Sequence, residues 1–297
     1  MSRNKKINVL SLFDGMSCGQ IALNKVGIEY ENYFASEIKP HAIEVTQYNY
    51  PNTIQVGDIT KLRGDDLPKI DLLIGGSPCQ DFSRANRKQE GLEGEKSGLF
   101  WEYVRLLRET KPTYFLLENV RMKQEWQNII SEELGVKPIR INSSLVSGAM
   151  RDRFYWTNIP IKDLPKDNGV KLCDIIDYGF TERDKCLCLL ESYSRPMKTP
   201  SKIARRYFKY GFWQVIFKDE ETYNKLKDNY DLALEGDVRY MNQEEMERAQ
   251  TIPVGYTKIL SRNDAACLLG DGWTVDVISH IFKSLKEEFV NECIKFI

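Results

Sequence analysis

The strongest constraint on the fold of this chain is the rhythm of its first half, where short β-rich runs alternate with helical patterns and most runs close on a glycine or a carboxylate. "INVLSLF" reads as a strand and "CGQIALNKVG" as a helix ended by Gly27; "YENYFASE" and "NTIQVGDI" read as the next strands, closing on Glu37 and Asp58. Then come "IDLLIGG", a helix "LFWEYVRLLRET" with Phe100, Trp101, Val104 and Leu107 on one face, the strand "TYFLLENV", a helix "EWQNIISEEL" stopped at Gly135, and "RFYWTNI" as a late strand. Strands that alternate with helices build a mainly parallel sheet covered on both faces. The expected class is therefore α/β, with a doubly wound, mainly parallel sheet.

From about Lys162 the pattern changes to mixed charged and aromatic residues without a clear period, until "NQEEMERAQ" resumes a helical spacing. The last segment, "WTVDVISHIFKSLKEEF", sets Ile278, Ile281, Phe282, Leu285 and Phe289 at helical intervals, as a helix packing back on the first domain would. The expected division is one domain from residues 1–160 and 240–297 and a small lobe over 161–239. Seven dispersed cysteines, an odd number, argue for reduced thiols rather than a disulfide framework. The "CLC" pair at Cys186 and Cys188 could suggest a metal with Cys173, but with only two histidines, His41 and His280, neither in ligand spacing, no metal site is expected. Asp14 interrupts the apolar run near the start, so the expectation is no signal peptide, no membrane span and a cytoplasmic setting. With a net charge of −1, a polyanionic partner has to be read from local patches.

Open α/β sheets bind ligands beyond the carboxyl ends of their strands. Four strand ends here carry Asp14-Gly15, Glu37, Asp58 and Pro78-Cys79. "FDGMSCG" lacks the G-x-G-x-x-G dinucleotide spacing and offers no lysine to a phosphate; its carboxylate suits an amine. Glu37 stands where an acid takes ribose hydroxyls, and Asp58 could take the exocyclic amine of a purine. An adenosine half bearing an ammonium group fits these positions better than NAD does, and S-adenosylmethionine is the candidate; singly, each such acid is more often a turn or cap residue. In "DLLIGGSPCQDFS" two glycines and a proline follow the strand, which aims the Cys79 thiol out at the ligand edge. Glu118, ending the neighbouring strand in "LLENV", could act as an acid beside that thiol.

These segments carry a resemblance. "SLFDGMSCGQIAL", "GGSPCQDFS", "LENV" and "RDRFYW" resemble, in order and spacing, the motifs of the DNA (cytosine-5)-methyltransferases, and the likeness continues into "NQEEMERAQTIPVGYT" and "LLGDGWTVDVISHIF". They look most like the catalytic domains of the de novo group, with Gln80 in the form usual in bacterial and phage enzymes. The resemblance implies the S-adenosylmethionine-dependent, Rossmann-like fold and methyl transfer to C5 of cytosine in double-stranded DNA, leaving S-adenosylhomocysteine. It implies that Cys79 adds to C6 of a base flipped out of the helix, that Glu118 serves N3, and that Arg153, supported by Arg151, binds O2. Phe13, Asp14, Gly15, Ser17, Glu37, Ile38, Asp58, Ile59 and Trp273 match cofactor-binding positions, and the charged loop from Phe82 to Leu99, with Arg84, matches a segment that closes over the base.

Departures from the family pattern are Ala149 in place of glutamine, Asp271-Gly272 in place of Asn-Ser, and Gln250-Thr251-Ile252 in place of Gln-Gly-Phe. By the resemblance, the segment from Lys162 to Val238 reads the DNA sequence. Within it "RPMKTPSKIARRYFKYGFW" supplies Arg195, Lys198, Lys202, Arg205, Arg206 and Lys209 without an acid, a footprint suited to phosphates. Two other readings stay open: a cytosine-5 methyltransferase acting on tRNA, whose Cys-Phe-Thr tripeptide this chain lacks, and an inactive DNA-binding relative, against which the cysteine, cofactor loop and arginine argue. A restriction-modification role, phage protection and the oligomeric state are not decided by these residues.

Overall fold

The computed structural model describes residues 6–77, 98–190, 195–212 and 214–294, with side chains as far as Phe289. The chain forms two compact units, one of Met1–Ile141, Asp152–Leu164 and Val277–Ile297, the other of Asn142–Arg151 and Pro165–Asp276. In chain order the first strands and helices are β1 (Ile7–Leu12), α1 (Cys18–Val26), β2 (Tyr30–Ser36), α2 (Pro40–Asn49), β3 (Ile54–Gln55), β4 (Leu72–Gly76), α3 (Gly98–Thr110), β5 (Tyr114–Val120), α4 (Gln124–Leu134), β6 (Ile139–Asn142), β7 (Ala149–Met150) and β8 (Asp152–Thr157).

Among the described residues, seven strands form one sheet in the order β3-β2-β1-β4-β5-β8-β6. β1 pairs in parallel with β2 on one side and β4 on the other, β4 pairs in parallel with β5, and β5 pairs antiparallel with β8. The chain winds outward from β1 to β3, then restarts at β4 in the opposite direction. The order thus reverses between β1 and β4, and the crevice outside their carboxyl ends is the ligand position of such sheets. β1 has the near-continuous apolar character of a strand covered on both faces: Ile7, Val9, Leu10 and Leu12 are all fully buried. Gly27 closes α1 in the left-handed region at φ 70°, where glycine meets no steric penalty, and its N–H returns to Asn24 O.

On α3 the buried stripe is Phe100, Tyr103 and Val104, with Leu107 partly buried, an i, i+3, i+4, i+7 pattern. Trp101 lies a quarter turn off that stripe; it is 38% exposed and rests edge-on against Phe100. The expected face is therefore corrected to one carrying Tyr103 in its place. α9 (Val275–Ile294) buries Ile278, Ile281, Phe282 and Leu285, packs the Phe289 ring edge-on against Tyr114, and donates from Lys286 Nζ to Val26 O.

The second unit contains β9 (Cys186–Leu187), α5 (Pro200–Tyr210), β10 (Val215–Phe217), α6 (Glu220–Asp228), β11 (Val238–Tyr240), α7 (Gln243–Ala249) and α8 (Arg262–Asp271). One of its cores gathers Ile203, Ala204 and Tyr207 of α5, Val215 and Phe217 of β10, Tyr223 and Leu226 of α6 and Val238 of β11, with the rings of Tyr207, Phe217 and Tyr223 edge to face. The region read as aperiodic is thus built around short amphipathic helices and an antiparallel pair of three-residue strands, β10 and β11. α7 and α8 belong to this unit rather than to the first domain: Ser147 Oγ donates to Ala249 O, and Arg151 donates to Gly270 O and Asp271 O.

Candidate active site

The turn from β1 to α1 is built from unusual backbone. Phe13, Gly15 and Ser17 have φ of 55°, 60° and 60°. For phenylalanine and serine that region costs about 1 kcal/mol or more. The turn draws Asp14 back over the strand ends: its N–H donates to Ser36 O, and its carboxyl accepts from the hydroxyls of Tyr33, at 2.8 Å, and Ser17. Asp14 keeps partial exposure. Burial pushes its carboxyl up to about 6, with hydrogen bonds from Ser11, Ser17 and Tyr33 opposing the shift and the Glu37 charge adding to it.

Glu37 follows β2 and joins the neighbouring turns. Its Oε2 accepts from Gly15 N–H at 2.8 Å, and its Oε1 accepts from the N–H groups of Ile38 and Lys39 at the start of α2. Ile38 is 69% exposed, whereas Ile59 is a core residue beside Leu62, Phe100 and Tyr103. Asp58, after β3, accepts from both the N–H and the hydroxyl of Thr60, and these bonds hold its carboxyl below the usual range. Three carboxylates thus stand at the ends of three adjacent parallel strands, as the pattern led us to expect.

At the β4 and β5 ends, Gly76 lies opposite Glu118 in the ladder, and Val120 lies opposite Arg153 on antiparallel β8. Diagonal neighbours on one face of such a pair are within reach of long side chains. Arg153 Nε stands 2.9 Å from Glu118 Oε1, with both side chains largely buried. The contact is a close charge pair without hydrogen-bond geometry, so Glu118 Oε1 is buried with no hydrogen-bond donor among the described residues. Asn119 Nδ2 donates to Ser77 Oγ at 2.9 Å, which ties the exit of β4 to β5. Sequence reading had assigned neither this brace nor the Tyr33 hydroxyl on Asp14. Cys79, Arg84 and the greater part of the Phe82–Leu99 loop lie outside the described residues.

Arg151 is buried in the second unit, where its guanidinium donates to the carbonyls of Gly270 and Asp271 at the end of α8, a favourable place for a cation. Asp271 itself is exposed, and Trp273 is partly buried in the link between α8 and α9. Ala149 is held through its backbone, accepting from Ser143 Oγ and donating to Ser147 Oγ. Lys202 and Arg205 share the exposed face of α5 with Lys209, opposite buried Ile203, Ala204 and Tyr207; Arg195 and Lys198 are also exposed. Arg206 is half-buried, stacked at 4.4 Å over Phe212 and donating to the Tyr240 hydroxyl.

The cofactor implied by the sequence can be tested against this geometry. Asp14 is held by neutral donors, and the charge acting on it among the described residues is the like charge of Glu37. A half-buried carboxylate with neutral partners fits an ammonium ligand. No group of three or more His, Cys, Asp or Glu among the described residues could hold a metal ion. Cys186 is fully buried, which pushes its thiol up to about 12. No helix among the described residues is long and apolar enough to cross a membrane.

Comparison with known proteins agrees with the motifs. The chain is similar to the orphan methyltransferase M.Rho11sI of Bacillus phage rho11s, 36% identical over 163 residues, 50% of this chain and 32% of that protein. It is similar to the type II methyltransferase M.NgoBV of Neisseria gonorrhoeae, 42% identical over 120 residues, 39% of this chain and 28% of that protein. The chain spans about a third of the length of these curated relatives. Its fold is similar to that of the S. pombe Dnmt2 methyltransferase, with a TM-score of 0.69 at 17% identity, covering 95% of this chain and 99% of that one. Residues 7–132, which hold Asp14, Glu37, Asp58 and Glu118, match the family model described as C-5 cytosine-specific DNA methylase.

Proposed function

We propose that this protein transfers a methyl group from S-adenosylmethionine to C5 of cytosine in double-stranded DNA. The observation that carries the reading is the buried Glu118–Arg153 pair in register with Gly76, three residues before Cys79, at the edge where the sheet order reverses. A carboxyl with an oxygen lacking a donor, held beside a guanidinium, matches the N3 and O2 side of cytosine. C5 of cytosine is a weak nucleophile, so the reaction needs a thiolate to add at C6 and make the ring an enamine. Cys79 supplies that thiolate, Glu118 holds or gives the proton at N3, and Arg153 binds O2. The base must leave the stack to reach them. When bound, S-adenosylmethionine would supply the electrophilic methyl; loss of the C5 proton with β-elimination of the Cys79 thiolate then restores the ring and frees the enzyme.

Asp14 takes the cofactor's ammonium group, Glu37 its ribose hydroxyls and Asp58 its adenine amine, with Phe13, Gly15, Ser17, Ile38 and Ile59 completing that site; Trp273 matches a further cofactor-binding position by the resemblance of its motif. Arg151 acts at one remove, securing the segment that leads into β8. The unit containing α5 reads the DNA, with Arg195, Lys198, Lys202 and Arg205 on phosphates, Arg206 steadying α5, and Arg84 on the loop after Cys79. The phage and bacterial relatives support a cytoplasmic setting and a role in DNA protection or restriction-modification.

The test is transfer of labelled methyl from S-adenosylmethionine to duplex DNA or to tRNA, by the protein and by Cys79→Ser. The expected product is 5-methylcytosine in DNA, absent with the variant, and DNA containing 5-fluorocytosine should trap a covalent adduct. Label in tRNA alone, or undiminished transfer by Cys79→Ser, would overturn the reading.

A further inference from the structure

We propose that Tyr33 is a positioning residue for the cofactor's amino-acid end, acting through Asp14; the inference rests on the S-adenosylmethionine reading above. Tyr33 is 1% exposed in β2, and its hydroxyl donates to Asp14 Oδ1 at 2.8 Å. A buried tyrosine hydroxyl needs a partner. Here the partner is a carboxylate on another strand's terminal turn. Ser17, itself in the left-handed region, donates to the other oxygen. Two neutral donors, one on each oxygen, fix the plane of the carboxyl while leaving its charge available. A lysine or arginine in either place would orient the group equally well but neutralise it.

The surroundings are shaped to admit that hydroxyl. At Gly19 of α1 a Cβ would stand 2.3 Å from Ile74 Cδ1 and 3.1 Å from the Tyr33 hydroxyl, so the helix passes the tyrosine as bare backbone. The Tyr33 ring leans on Tyr30 at 5.7 Å, and Tyr30 is itself fixed by Gln20 Nε2 donating to its hydroxyl, with Gln20 accepting from Thr53. Ser11 of β1, Ser17, Tyr33 and Glu37 are the groups acting on the Asp14 carboxyl.

The experiment is calorimetric binding of two ligands, S-adenosylhomocysteine and 5′-methylthioadenosine, which lacks the amino-acid end, to the protein, Tyr33→Phe, Asp14→Asn and the double variant. Losing one oriented donor to a charged group predicts about five- to tenfold weaker S-adenosylhomocysteine binding by Tyr33→Phe. Binding of 5′-methylthioadenosine should be unchanged, and Tyr33→Phe should add nothing in the Asp14→Asn background. Equal losses on both ligands, or a loss undiminished in that background, would reduce Tyr33 to a packing residue and overturn the proposal. If the unaltered protein binds neither ligand, the cofactor reading fails and this proposal with it. Should Tyr33→Phe not fold, 3-fluorotyrosine at this position, a stronger donor, must move the acid fall-off of S-adenosylhomocysteine binding to lower pH. An unmoved fall-off overturns the proposal.

Discussion

Burial lifts the Asp14 carboxyl from 3.8 to about 6, so the folded protein holds a proton there more tightly than the unfolded chain does. Stability from this group is therefore gained as pH falls through 6 and is complete below 3.8; above 6 the ionised form costs about 1–2 kcal/mol once solvent screening is allowed for. Asp14→Asn is accordingly expected to raise the melting temperature of the ligand-free protein at pH 8, while cofactor binding falls. Thermal scans at pH 8 and near pH 3.5 check this: the gain should be present at the first and largely vanish at the second, and a lower melting temperature at pH 8 would refute it. Glu118 makes a different prediction, because its Oε1 is buried without a hydrogen-bond donor among the described residues and the proposed function puts the base there. Glu118→Gln keeps the volume and should leave folding intact while lowering single-turnover methylation about a hundredfold or more. Loss below tenfold would remove Glu118 from the chemistry.

At the scale of elements, the fit of α1 against the sheet turns on Gly19. Gly19→Ala would drive a methyl into Ile74 and the Tyr33 hydroxyl, and overpacking of that kind costs about 1–3 kcal/mol. Chemical denaturation should show a lower midpoint with an unchanged slope, and an unchanged midpoint would mean α1 can shift freely. The strands and helices around Gly19 are legible in the sequence because their burial is one-sided or complete and therefore periodic: Ile7, Val9, Leu10 and Leu12 announce β1, and Gly27 and Gly135 mark where α1 and α4 stop. The acids at the strand ends are legible for the same reason. Their partners are not, because those depend on register. Tyr33 meets Asp14 only because Val9 pairs with Tyr33 and Leu12 with Ser36, and Arg153 meets Glu118 only because β8 runs antiparallel with Val120 opposite Arg153. In the second unit β10 and β11 have three residues each, too few to show a period, and α5 interleaves its core aromatics with a basic face.

For the whole molecule, a net charge of −1 leaves little long-range attraction to DNA, so affinity has to come from the places where positive charge is concentrated. Lys202, Arg205 and Lys209 are spaced i, i+3 and i+7 on α5 and share its exposed face. Each phosphate contact by such a residue adds about 0.9 to the slope of log affinity against log salt. Replacing all three by alanine should therefore reduce that slope by roughly 2–3 and weaken binding to the same extent on unrelated duplex sequences, because phosphate contacts carry no sequence information. The control is a triple alanine variant of Lys218, Lys225 and Lys227, exposed lysines on and beside α6 with Glu220 and Glu221 among their neighbours. It removes the same charge from the same unit. If α5 lies along the DNA backbone, only the first variant flattens the salt dependence measured by fluorescence anisotropy. If both flatten it equally, overall charge rather than the α5 face governs binding, and the basic stripe is an ordinary solvated surface.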